Sequence, residues 1–160
     1  MVITAPIYVN AGIDQTVCAN NATVSLNGSI SGGTTTGNWT TTGTVTFVPA
    51  PSTLNADYVP SANDTAAGTV TLTLTSTNNG GCIAVTGQVT VTITDAPLAN
   101  AGADQTLCGN NDTVTLNGSV NSGATGGGWI TLGSGTFSPD TVTLNATYIP
   151  SNADTTAGTV

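Results

Sequence analysis

Two stretches of the chain alternate apolar and hydroxyl or amide residues over their whole length. Thr69–Thr77 reads TVTLTLTST and Gln88–Thr94 reads QVTVTIT. A period of two sends one set of side chains to a core and the other to water, as in strands with a single buried face. Further short apolar segments bounded by turn residues predict strands near Ile13–Val17, Ala22–Ser29, Gly37–Thr41, Val45–Val48 and Thr53–Val59, and extend the last strand to Ala84–Thr94. The segment Asp64–Val70 (DTAAGTV) reads as a turn before the penultimate strand. No window has the spacing of an amphipathic helix, and no apolar run approaches the roughly 18 residues of a membrane span.

The same pattern occurs twice. Shifted by 90 residues, Asn10–Val70 aligns without gaps on Asn100–Val160, with 37 identities in 61 positions. Trp39, Phe47 and Tyr58 fall on Trp129, Phe137 and Tyr148 and are the expected aromatic core of each copy. A period this long marks tandem modules, each large enough to bury its own core. Seven or so strands in about 90 residues is the scale of an immunoglobulin-like sandwich, with a two-sheet jelly roll as the alternative. The expected organisation is the end of a preceding repeat plus linker at 1–9, a complete repeat at 10–95, and a second repeat at 96–160. That second repeat stops at Val160, the equivalent of Val70, and is expected to lack its last two strands. Sheet edges and core would then be open to another copy's strand.

Composition supports the all-β assignment and narrows function. The chain of 160 residues holds 34 Thr, 11 Ser, 20 Gly and 16 Asn, residues that favour strands and turns. It is 38% hydrophobic and has a mean hydropathy of +0.18, enough to build a core. Its net charge of −8 comes from eight aspartates, with no Lys, Arg or His. Nucleic-acid binding and attachment to anionic lipid need cations, so both are excluded as partners, and no membrane insertion is expected. Histidine bases, Schiff-base lysines, arginine clamps and histidine metal sites are excluded with them. A Lys–Asn isopeptide crosslink is equally out of reach. No catalytic residues are assigned.

Cys18 and Cys108 are repeat equivalents, and Cys82 has no counterpart. The economical reading is a Cys18–Cys82 disulfide that leaves Cys108 unpaired; three reduced, buried thiols are the alternative. The bridge would close a loop worth about 4 kcal/mol on the chain-entropy model and would imply an oxidising compartment.

The remaining candidate chemistry is sparse. Calcium takes carboxylate and carbonyl oxygens, and Asp95 and Asp104 flank the linker APLANAG. The plainer reading is that Asp14 and Asp104, in the repeated NAG-x-DQ motif, cap a turn. No cofactor is assigned. Four aspartates open an Asp-Thr-small/aliphatic triplet, at Thr65, Thr113, Thr141 and Thr155. The triplet resembles the O-glycosylation sequon of Bacteroidota, and Asp-Thr is also a common turn opener. Threonine ladders can match ice, but here they share strands with core residues.

The motifs NAG-x-DQT-x-C, V-x-LNGS, GNWTTTGT or GGWITLGS, LNA-x-Y-x-PS and AGTVTLTLT resemble the tandem PKD-like, immunoglobulin-like repeats of giant Bacteroidota surface proteins. They are most similar to those of the gliding-motility adhesin exported by the type IX secretion system. The resemblance implies a secreted, cell-surface filament whose partners are neighbouring repeats and surface polysaccharide, and it implies no catalytic residues. An accessory repeat of a secreted polysaccharide-degrading enzyme, or an ice- or carbohydrate-binding repeat, are the other expectations.

Overall fold

The alternating segments become the two longest strands of the chain, β-branched and apolar residues filling one side of the pleat and threonines the other. The computed structural model describes residues 4–44, 47–109 and 113–160; Val45, Thr46 and Asp112 lie outside the described residues. The chain divides into two units, Met1–Ala96 and Pro97–Val160.

The first unit contains β1 (Tyr8–Asn10), β2 (Gln15–Cys18), β3 (Val24–Ser25), β4 (Ser29–Ser31), β5 (Thr36–Thr41), β6 (Phe47–Val48), β7 (Asp57–Tyr58), α1 (Ala62–Ala67), β8 (Thr69–Thr77) and β9 (Thr86–Thr94). One sheet runs β2-β9-β8-β5, a second β3-β7-β6, and β1 pairs with β4. In the larger sheet β8 is antiparallel to both β5 and β9, with Trp39 opposite Leu74 and Leu72 opposite Val89. The β2–β9 pair is parallel, Gln15 facing Val91 and Cys18 facing Thr94. Buried side chains of the two sheets meet in one cluster: Val70, Leu72, Leu74, Val89, Val91 and Ile93 from one, Val24, Phe47 and Tyr58 from the other. Trp39 sits between them with its ring 6.3 Å from Phe47, and its indole N–H donates to the Leu54 carbonyl.

The segment read as a turn at Asp64–Val70 starts with a short helix. Ser61 caps α1, its hydroxyl accepting from the Asp64 N–H while Asp64 accepts from the Ser61 N–H. Gly68 closes it in the left-handed region at φ 72°, a conformation glycine adopts without a Cβ penalty. Six residues are too few for an amphipathic period, which is why apolar spacing misses the helix. The Ser-x-x-Asp…Gly punctuation is the signal that carries it.

The first unit also begins earlier than the repeat alignment implies. Ile7 is buried in its core and Tyr8–Asn10 forms β1, so residues placed at the end of a preceding repeat belong to this one. The alignment identifies Asn10 as the first matching residue, but strand pairing requires Tyr8 and Val9 opposite Ser31 and Ile30.

The second unit contains β10 (Leu98–Asn100), β11 (Val114–Thr115), β12 (Ser119–Asn121), β13 (Thr136–Ser138), β14 (Thr147–Ile149) and α2 (Asn152–Ala157). Its sheets are β11-β14-β13 and β10-β12, the equivalents of β3-β7-β6 and β1-β4. Strands dominate both units, in several sheets with two six-residue helices: the class is all-β. Gln105–Cys108 and Gly126–Thr131, the equivalents of β2 and β5, form no strand.

Gly28 lies where the chain passes over Trp39. A Cβ there would stand 2.7 Å from the indole and 2.8 Å from the Leu54 carbonyl oxygen, and Gly118 repeats the approach to Trp129. Gly28→Ala is therefore expected to destabilise the first unit by about 1–3 kcal/mol through overpacking. Urea unfolding followed by tryptophan fluorescence reads the loss. Gly81→Ala, with nothing within 4 Å, should leave the midpoint in place.

Candidate functional site

The most closely coordinated side chain of each unit is a buried carboxylate with neutral partners. In the first unit, α1 holds Asp64 under the loop after β5. Its Oδ2 accepts from the Tyr58 hydroxyl at 2.9 Å and the Ser61 N–H at 3.0 Å, and its Oδ1 accepts from the Thr44 N–H at 3.1 Å. Thr41 donates in turn to the Tyr58 hydroxyl at 3.2 Å. The second unit repeats the set. Asp154 accepts from Tyr148, Ser151 and Ser134, each at 2.9 Å. With no cation in the sequence, neutral donors alone keep these buried charges solvated.

Burial would raise the Asp64 pKa, but the hydrogen bonds from Ser61, Tyr58 and Thr44 outweigh it and hold the carboxyl below its ordinary value. The backbone N–H groups of Ser151 and Ser134 lead in pulling Asp154 down to about 2. Tyr58 is pushed up to about 12 by burial first; the Thr41 bond opposes this and Asp64 adds to it. Every acceptor position described is already engaged by the protein itself, so these carboxylates brace the loop 41–44 and the start of α1 rather than face a substrate.

The Cys18–Cys82 bridge is overturned. All three thiols are free. The parallel β2–β9 pairing sets Cys18 beside Thr94, at the far end of β9 from the loop that carries Cys82. Thr86 and Thr94 are eight residues apart, about 26 Å along a strand. The four steps from Thr86 to Cys82, doubled straight back, recover about 14 Å at most. A disulfide needs Cα atoms within about 7 Å. Cys18 instead points its Sγ at the Asp95 carbonyl, 3.5 Å away, while Cys82 and Cys108 are exposed. The inference to an oxidising compartment loses its basis with the bridge.

The Asp-Thr triplets separate by environment. Thr65 and Thr155 are helical, and each donates its hydroxyl to the N-cap carbonyl, Ser61 or Ser151. Their aspartates are the two buried carboxylates, so helix capping accounts for both triplets. Thr141 is exposed in a turn where the Asp140 carboxylate accepts from the N–H groups of Val142 and Thr143. Thr113 is exposed, and its Asp112 lies outside the described residues.

In NAG-x-DQ it is the asparagine that makes the turn. Asn10 and Asn100 accept from Gly12 and Gly102 at 2.8 Å. Asp14 reaches across to the Thr90 N–H on β9, also 2.8 Å, instead of capping locally. Asp95 and Asp104 are exposed, and among the described residues no three His, Cys, Asp or Glu cluster in a way that could hold a metal. The aromatics expected as core divide by unit. Trp39, Phe47, Tyr58 and Tyr148 are buried, whereas Trp129 and Phe137 are half-exposed. The solvent face of the large sheet carries threonine rows such as Thr69–Thr92 and Thr71–Thr90.

Two measurements check this geometry. Asp64 and Asp154 have folded pKa values below their unfolded ones, so their contribution is present above about pH 4 and lost as pH falls toward 2. Tyr58 is raised, so its contribution is present below about pH 10 and lost as pH climbs toward 12. Stability measured by chemical denaturation against pH should be flat between these windows and fall in both. In Tyr58→Phe the alkaline fall should disappear, at a cost of about 1–3 kcal/mol for the bond to the charged carboxylate. The second measurement is thiol titration without reductant: all three cysteines are expected to react, Cys82 and Cys108 before Cys18.

No family model matches the chain, and no curated protein matches its sequence.

Proposed function

We propose that the chain is a structural repeat of a large secreted cell-surface adhesin, a non-enzymatic spacer in an extracellular filament for surface attachment and gliding. The fold proposed for each repeat is the immunoglobulin-like, PKD-like sandwich, in keeping with the two sheets that share one core in the first unit. The motif resemblance supports the family.

The observation that carries the mechanical role is the parallel pairing of β2 with β9. Tension on the two ends of the unit pulls these strands in opposite directions along their length. Their cross-links are then loaded together in shear instead of opening one by one. Three bonds reinforce the contact: the Ala19 N–H donates to the Thr94 carbonyl at 2.8 Å, the Thr94 hydroxyl to the Val17 carbonyl at 3.2 Å, and the Thr90 N–H to Asp14. A filament exposed outside the cell also gains from the absence of Lys and Arg, since trypsin-like proteases then find no cleavage site.

Single-molecule stretching of the chain between handle domains tests the role. Asp14→Ala removes one neutral-to-charged bond, about 1–3 kcal/mol at equilibrium, and is expected to lower the unfolding force of the first unit. A substitution in the 78–81 loop should leave that force unchanged. A force peak indifferent to Asp14→Ala would sink the mechanical role. Labelling of intact, unpermeabilised cells with an antibody to the chain tests the location, and a signal seen only after permeabilisation overturns it.

A further inference from the structure

The second unit keeps one side of its core and leaves the other open, and the first unit shows what covers that side. Ala11, Val24, Leu26, Ile30, Trp39 and Phe47 are all buried. Of their equivalents, Ala101 is exposed, and Val114, Leu116, Val120, Trp129 and Phe137 are half-exposed. In the first unit the cover is the β8–β9 hairpin, whose Val70, Leu72, Leu74, Val89, Val91 and Ile93 are each at most 4% exposed. The two segments that flank it there, β2 and β5, have equivalents in Gln105–Cys108 and Gly126–Thr131 that carry no strand partner. Two clefts of about 590 and 560 Å³ occupy this side of the second unit, lined among others by Leu107, Cys108, Leu132, Asp154 and Val160.

We infer that this open side is a strand-acceptor site whose occupant is a β-hairpin of the β8–β9 type, arriving as a separate polypeptide segment. Its chemistry is two strands of about nine residues alternating Thr with Val, Leu or Ile. The apolar set completes the core, and the backbone pairs with both unpaired segments, as in strand addition to an exposed edge. The repeat fixes the register. A residue in the place of Leu74 faces Trp129, one in the place of Val91 faces Gln105, and one in the place of Thr94 faces Cys108. A slip by one residue would turn the apolar set to water, so the register is tightly specified. The inference does not rest on the adhesin role: it requires only the two units and their repeat.

The exposed thiol of Cys108 lets the register be measured. The probe is a synthetic peptide of residues 68–95 carrying Cys82→Ser and Thr94→Cys, mixed with the chain in its Cys82→Ser form. Docking is expected to shift tryptophan emission to the blue and to remove the part of it that acrylamide quenches, which belongs to Trp129. Under mild oxidation the peptide should form a mixed disulfide with Cys108, at least tenfold faster than a peptide with its cysteine moved to Thr90→Cys. A peptide with Leu72→Asp and Leu74→Asp should neither shift the emission nor crosslink. Equal crosslinking from both cysteine positions, or an unchanged Trp129, overturns the site. Linkage to Cys18 would also overturn it, because the peptide would then be replacing the first unit's own hairpin. A chain that is dimeric by sedimentation, with Trp129 already shielded before any peptide is added, would make a second copy the occupant and defeat the inference.

Discussion

The antiparallel pairing of β8 with β9 is the contact on which the first unit depends. Each strand gives its apolar positions to the core and its threonines to solvent, and each has a second neighbour, β5 on one side and β2 on the other. The two units form a natural comparison of what this hairpin does. Gln15–Cys18 and Gln105–Cys108 share all but one residue, Val17 standing where the repeat has Leu107. The first is a strand beside β9; the second, without such a neighbour, is not. The extended state of this segment is thus conferred by its partner, in line with strand propensity being a measure of the surroundings more than of the residue.

A second substructure is indifferent to the hairpin. The β3-β7-β6 sheet, the β1–β4 pair, the capped helix and the buried carboxylate recur in both units with nearly the same distances. Their contacts are local or nearly so: Tyr58 reaches Asp64 across six residues and Ser61 reaches it across three. Buried aspartate in a chain without cations is held by one phenol and backbone N–H groups, so the ion is stabilised by dipoles aimed at it and not by a counter-charge. The same arrangement ties the end of β7, the loop after β5 and the start of α1 to one point.

Much of this was legible in the residues. Period-two alternation located β8 to the residue and β9 to within two at its start, because a long strand with one wet face leaves an unmistakable pattern. The short strands were overextended: Thr53–Val59 yields only Asp57–Tyr58, and Ala22–Ser29 breaks into β3 and the start of β4. Where strands are two or three residues long, pairing partners set the ends, and a single sequence does not name the partners. The carboxylate site went unread for a related reason. Asp64 looked like a turn opener or a sequon, and its distinguishing feature, burial against Tyr58, exists only once α1 packs.

The sequence by itself determined the strand content, the tandem repeat, the aromatic positions and the exclusion of every chemistry that needs a base or a cation, because these follow from residue type and spacing alone. Tertiary structure decided the relative direction of β2 and β9, and that one choice settled the cysteines. Had the pair been antiparallel, the direction of β2 would have carried Cys18 toward the Cys82 end; being parallel, it sends the two thiols to opposite ends of the sheet. Strand direction is fixed by how distant segments share a core, a global packing constraint that leaves no mark on the local pattern of a four-residue strand.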